Sequence, residues 1–271
     1  MSSAPQSLSS SSAWVDHIPV TWFEPQTHHL RRHMIIYLPP FSGTKELMIP
    51  YLRDLAAAGF VALSLDPWQH GERGTESRTA IRERVFGNFR RSMWPILGQT
   101  ALDLLRVIDW AVATLHVEPQ ISIGGLSMGG DIAVAAAGLD HRIKQVTATV
   151  ATPDWLRPGM QDPINPGTLV PPGEPDAYAQ YFYDHLNPLT HLAAFAHGPT
   201  MYFICGEQDT HVPPDGALRF QTALRESHPV AGDHIQVRLI PGLGHRDFMD
   251  PQPWWPDCLS FFTHIWRKLK H

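Results

Sequence analysis

Apolar positions along this chain follow two alternating rhythms. Short runs dense in apolar and β-branched residues recur at 33–38 (HMIIYL), 60–65 (FVALSL), 121–126 (ISIGGL), 144–151 (KQVTATVA), 200–205 (TMYFIC) and 235–240 (IQVRLI). Between them lie longer stretches with apolar residues three and four apart. These cover 46–58, then 92–115 through Leu97, Ala101, Leu104, Leu105, Ile108 and Val112, and last 254–270, whose basic residues gather in the final turns as a helix dipole favours. Near-continuous apolar runs mark strands buried on both faces, and helices between successive strands supply the crossovers a parallel sheet needs. The pattern predicts an α/β fold, a mostly parallel central sheet with helices on both faces. Residues 19–24 read as a further strand, expected to pair antiparallel at one edge.

Two stretches break the rhythm. Residues 1–13 are Ser-rich, without the basic start and apolar middle of a signal peptide, and are expected to form a disordered tail. Residues 152–197 are dense in proline between Pro153 and Pro175 before shorter helical pieces follow. An insertion of this kind is expected to act as a lid, with Trp155, Tyr178, Tyr181, Phe182 and Tyr183 forming part of a pocket wall.

Size and composition narrow the classes. The 271 residues, 43% of them hydrophobic, suit one domain with a single large core, here residues 14–271. A net charge of −5 gives no basic field for nucleic acid or an anionic membrane. No apolar run nears the roughly 18 residues that span a bilayer. Cys205 and Cys258 are far apart, and Cys205 lies in a strand-like run, which favours free thiols in a reducing compartment and a cytoplasmic location.

Candidate chemistry enters at three strand ends. The run from Ile121 leads into Gly125-Leu126-Ser127-Met128-Gly129 and a small-residue helix, the layout of a nucleophile elbow. A serine at such a turn has a strained backbone, and small residues two before and two after let strand and helix pass closely. The pentapeptide arises by chance often enough that its context must decide. The run ending at Cys205 enters Gly206-Glu207-Gln208-Asp209-Thr210-His211-Val212-Pro213-Pro214, and the run ending at Ile240 enters Pro241-Gly242-Leu243-Gly244-His245. Serine, aspartate and histidine thus follow in the chain order of α/β-hydrolases, with room between them for further elements. In that reading Ser127 is a nucleophile, His245 its base and Asp209 the residue that orients the base. Asp154, also after a strand, is a rival acid, and His70 a rival base; Asp247 is too near His245 in sequence to support its ring. The oxyanion hole is expected to combine the amide of Met128 with one from the loop after Leu38. There Pro39 and Pro40 lack N–H groups, so Phe41 is the first donor available.

The block Asp66-Pro67-Trp68-Gln69-His70-Gly71-Glu72-Arg73, the segment Met93-Trp94-Pro95-Ile96-Leu97, the GLSMGG elbow and the GEQDTHVPP loop together resemble a group of small bacterial cytoplasmic carboxylesterases. These are related to dienelactone hydrolases and to prolyl-oligopeptidase catalytic domains, and the resemblance runs over residues 18–266. It implies an α/β-hydrolase fold, a triad of Ser127, Asp209 and His245, an oxyanion hole at Phe41 and Met128, small ester substrates, and no metal or organic cofactor. The Pro39-Pro40 pair is the clearest departure. His70 and Arg73 are expected to brace the loop after their strand, and the arginines at 78, 82, 84, 90 and 91 to form a solvated helix face with one member able to steer an acidic substrate. No metal-binding spacing is present in the sequence. The expected partner is a small-molecule ester, without nucleic acid or membrane, and a homodimer is left open. A lactonase, a short-peptide hydrolase and a non-catalytic ligand-binding module remain the alternatives.

Overall fold

The computed structural model describes residues 9–25 and 32–268. Strands β1 (Ser10–Val15), β2 (Ile18–Phe23), β3 (Met34–Leu38), β4 (Val61–Leu65), β5 (Ile121–Leu126), β6 (Ile143–Thr149), β7 (Thr200–Gly206) and β8 (Ile235–Ile240) form one sheet in the order β1-β2-β4-β3-β5-β6-β7-β8. From β4 to β8 every pairing is parallel; β2 pairs antiparallel with β4 and β1 with β2. The helices are α1 (Ile49–Ala57), α2 (Arg78–Gly87), α3 (Phe89–Trp110), α4 (Met128–Leu139), α5 (Ala177–Leu186), α6 (Asp215–Ser227), the short α7 (Pro229–Asp233) and α8 (Trp255–Lys268).

The parallel α/β sandwich predicted from the apolar rhythm is therefore the architecture found. Side chains of β3 show why its run is apolar throughout: Met34, Ile36 and Leu38 join the core under α3 and α4, while Ile35 and Tyr37 join the core under α1 and α8. Three expectations are corrected. The tail does not extend to residue 13, because Ser10–Val15 is a strand paired residue for residue with β2; residues 1–8 lie outside the described residues. That hairpin, turned at Asp16 with φ 55°, makes β1 the edge and places β2 inside the sheet. The long central helix starts earlier and ends as an α-helix at Trp110, passing through a π-helical turn to His116, whose φ of 52° stops it.

The chain winds from β3 to β4 on one side and then crosses to β5 on the other. The loops after β3 and β5 consequently flank a topological switch point at the carboxyl ends of the strands, where open α/β sheets leave a crevice. The loops after β6, β7 and β8 open at the same end of the sheet.

Candidate active site

Ser127 stands between the last residue of β5 and the first of α4 with φ 52° and ψ −118°, a conformation that costs on the order of 1–3 kcal/mol for a residue with a side chain. The turn persists because its surroundings enforce it. The Ser127 amide donates to the Thr149 carbonyl of β6 at 2.8 Å, and its own carbonyl accepts from Gly130 and Asp131 at 2.8 and 3.1 Å. A Cβ on Gly125 would sit 2.3 Å from the Gly129 carbonyl carbon, and one on Gly129 would sit 2.4 Å from the Leu38 carbonyl oxygen. Both contacts are with backbone, so only glycine fits, and α4 is drawn against the end of β3.

The structure brings the three candidate residues together. Ser127 Oγ lies 3.1 Å from His245 Nε2, and His245 Nδ1 lies 2.8 Å from Asp209 Oδ2. With a carboxylate on the Nδ1 side, the imidazole carries its proton there and turns the Nε2 lone pair to the serine. Asp209 is buried, and its other oxygen accepts from the amides of His211 at 2.9 Å and Val212 at 2.8 Å, so the turn after β7 fixes the carboxylate. His245 opens a 3-10 turn whose preceding Gly244 amide donates to Asp247 at 2.7 Å; Asp247 thus holds the loop and not the ring.

The rivals are occupied elsewhere. Asp154 accepts from Arg219 at 2.6 Å and from the Leu156 amide at 3.0 Å. His70 donates from Nδ1 to the Trp68 carbonyl at 2.9 Å, and Arg73 bonds Asp103 at 2.6 Å and the Asp66 carbonyl at 3.2 Å with its guanidinium over Trp68. Both brace the loop after β4, and the His70 ring meets the Phe41 ring edge-on at 5.5 Å.

The loop after β3 closes with a Gly43 amide to Pro40 carbonyl bond of 2.9 Å, with Ser42 at φ 59°. Among the described residues no protein acceptor takes the Phe41 or the Met128 amide. Ser127, His245, Phe41, Ser42 and Gly43 line one cavity of about 400 Å³, within the range of small-ligand sites. Its remaining wall includes Leu47, Phe86, Phe248 and Met249, with Pro163 and Ile164 from the insertion.

The insertion therefore reaches the cavity by a different part than expected. Trp155 is buried in the core, Phe182 packs on α3, Tyr183 stacks on Trp94, and Tyr178 and Tyr181 point to solvent. Two groups escaped the sequence reading. His211 donates from Nδ1 to the Gln161 carbonyl at 2.7 Å, lines the cavity, and meets the His245 ring edge-on at 4.6 Å; burial, with the neighbouring His245 and Arg157, pushes it down to about 2 and keeps it neutral. Its sequence signal was position alone, two residues after Asp209. Asp131, one turn into α4, is paired with Arg157 of the insertion and accepts from the Thr152 amide at 2.7 Å; burial pushes its carboxyl up to about 6 against the pull of Arg157.

A profile of the prolyl oligopeptidase family (Peptidase_S9) matches residues 54–264. Among curated proteins, "Putative hydrolase YtaP" of Bacillus subtilis (strain 168) is 32% identical over 104 residues, which are 38% of this chain; the alignment spans 33% of that relative's length. TT1662 from Thermus thermophilus superposes with a TM-score of 0.69 at 19% identity, over 95% of this chain and 97% of that one. The Pyrococcus furiosus esterase Pf2001 does so at 0.61 and 16%, over 95% and 92%. The Pyrococcus horikoshii acylaminoacyl peptidase is matched at 0.63 and 15%, over 88% of this chain and 38% of its own. At these identities the structures establish likeness of fold, that of the α/β-hydrolases.

Proposed function

The chain belongs to the prolyl oligopeptidase family, a family of hydrolases, and from that premise we propose that it is a serine carboxylesterase cleaving small carboxylic esters through an acyl-enzyme. Ser127 Oγ attacks the ester carbonyl while His245 Nε2 takes its proton, and Asp209 holds the imidazole in the required tautomer and stabilises the imidazolium. The tetrahedral oxyanion lies between the Met128 and Phe41 amides, the strongest single source of stabilisation in such a step. Collapse expels the alcohol, which receives the proton from His245. Water then repeats the sequence on the acyl-enzyme, releasing the acid and restoring Ser127.

The observation that carries this reading is the unbroken line of bonds from Ser127 through His245, both lining the cavity, to the buried Asp209 behind them. Two free, buried thiols, Cys205 and Cys258, support a cytoplasmic location. Among the described residues no helix is long and apolar enough to cross a membrane.

The test is a fluorophosphonate probe followed by a panel of esters, lactones and short peptide amides. Stoichiometric labelling of the wild-type protein, none of folded Ser127→Ala, and turnover concentrated on short acyl esters are expected. Fastest turnover of lactones or amides would move the assignment within the hydrolases. No labelling of folded wild-type protein would favour a ligand-binding module on the same fold.

A further inference from the structure

Of the arginines of α2 and the start of α3, three pair with carboxylates and a fourth lies over an aromatic ring. Arg82 makes two 2.8 Å bonds to Asp162 and lies over Phe86, Arg84 bonds Glu76 at 2.6 Å, Arg90 lies over Trp94, and Arg91 pairs with Asp176 at 3.2 Å. Arg78 is the exception. Among the described arginine side chains, Arg78 and Arg246 alone have neither a carboxylate nor an aromatic ring as partner. These two, from segments far apart in the chain, line the same cavity as Ser127, and Arg246 directly follows the candidate base His245. No Asp or Glu lines that cavity, in a chain of net charge −5. Arg82, already paired with Asp162, also lines it, beside the polar Ser42 and His211. Much of the remaining wall is apolar, and at Leu47, Leu126 and Met249 it adjoins a second, mostly apolar cavity of about 260 Å³.

A solvated helix face accounts for arginines that find acids nearby, as Arg82, Arg84 and Arg91 do. It does not account for two guanidiniums that line one concave surface without an ion-pair partner, Arg246 leaving even the Asp247 and Asp250 of the adjoining cavity unpaired. Like charges on such a surface repel, and its apolar wall concentrates their field. The missing partner is an anion brought in by the ligand. We infer that the preferred ester carries a carboxylate besides its scissile bond, held by Arg78 and Arg246, while its carbon skeleton packs on the apolar wall. Arginine suits this role because its planar donors match a carboxylate and it is charged at any working pH. The inference rests on the ester-hydrolase reading and adds the substrate class.

The experiment compares kcat/KM for two matched pairs. One places the charge in the acyl part, 4-nitrophenyl hydrogen glutarate against 4-nitrophenyl hexanoate, and one in the alcohol part, 4-carboxyphenyl acetate against phenyl acetate. Each is measured with wild type, Arg78→Gln, Arg246→Gln and the double variant; both positions are exposed, so the fold is expected to survive. The ratio of charged to neutral substrate, compared between variants, cancels the intrinsic reactivity of each ester. For at least one pair that ratio should fall about tenfold in each single variant and further in the double one, the scale of a lost charge-assisted contact, and in wild type it should shrink with added salt. Neutral esters turning over with an unchanged ratio for both pairs would overturn the inference and leave the esterase reading standing. If no ester is turned over, the esterase reading fails, and calorimetry with glutarate decides the anion site without catalysis. Binding weakened about tenfold in the double variant would uphold the site; absent or variant-independent binding would remove it.

Discussion

Asp209 and Asp154 are both buried carboxylates just beyond strands, and they differ only in the donors each accepts. Asp209 takes His245 Nδ1 and two amides, whereas Asp154 takes Arg219 and one amide. Asp209→Asn puts an amide donor opposite Nδ1 and favours the wrong tautomer, so turnover should fall by about 10⁴, as the equivalent change does in the serine-protease case. Asp154→Asn should change kcat less than about tenfold, since its ion-pair partner Arg219 is half exposed. The opposite ranking in steady-state assays would make Asp154 the triad acid. His211 adds a pH signature. Its folded value of about 2 lies below the ordinary 6.5, so under pH 6.5 the unfolded chain binds the extra proton and the folded one does not. Its contribution is therefore full above pH 6.5 and is lost as pH falls, on the order of 1 kcal/mol per pH unit. His211→Gln, which cannot titrate, should flatten the fall of urea-unfolding free energy between pH 6.5 and about 4.5; parallel curves would show that His211 is protonated in the fold. Ser127, Asp209 and His245 were legible because each follows a strand and sits in a distinctive turn. His211 was not, because its role depends on a carbonyl fifty residues away, at Gln161.

At the scale of elements, every strand but β1 was read to within a residue or two, and most clearly where burial on both faces leaves a continuous apolar run, as in β3 and β4; the Ser-rich, largely exposed β1 has no such run. The aromatic residues of α5 show where that logic stops. Spacing marks Ala179 and Phe182 as one face, but it cannot say whether that face meets a ligand or another helix. The answer is α3: Phe182 packs over Gly98, where a Cβ would come within 2.1 Å of the ring and 2.9 Å of the Phe182 Cβ. Two effects compete in Gly98→Ala. Helix propensity favours alanine by about 1 kcal/mol, while overpacking a filled core costs about 1–3 kcal/mol. Since both ring and Cβ must retreat, overpacking should win and the variant should lose about 1–2 kcal/mol in denaturant unfolding. A more stable Gly98→Ala protein would mean that α5 shifts freely on α3.

Over the whole molecule, the sheet gathers loops from six parallel strands at one end, and the insertion is tied across them. His211 holds Gln161, Arg82 holds Asp162, Asn187 accepts from the Trp155 amide at 2.9 Å, and Arg157 reaches Asp131 immediately behind the nucleophile turn. None of these ties is periodic, and Arg157 itself has φ 45°, so no pattern of apolar positions could announce them. The Asp131 and Arg157 pair is the test of how much they matter. Both side chains are buried, and removing one leaves the other as an uncompensated charge, at a cost of about 3–5 kcal/mol. Arg157→Met and Asp131→Leu should each lose that much in equilibrium unfolding. The double variant, with neither charge to desolvate, should lose clearly less than the sum, giving a coupling energy of at least about 2 kcal/mol in the double-mutant cycle. Its turnover should nonetheless stay below wild type, because Thr152 loses its acceptor on Asp131 and the insertion that carries Ile164 to the cavity is no longer pinned to α4. Additive losses in stability would show that the two charges act separately, and wild-type turnover in the double variant would show that the cavity wall is set by the remaining ties alone.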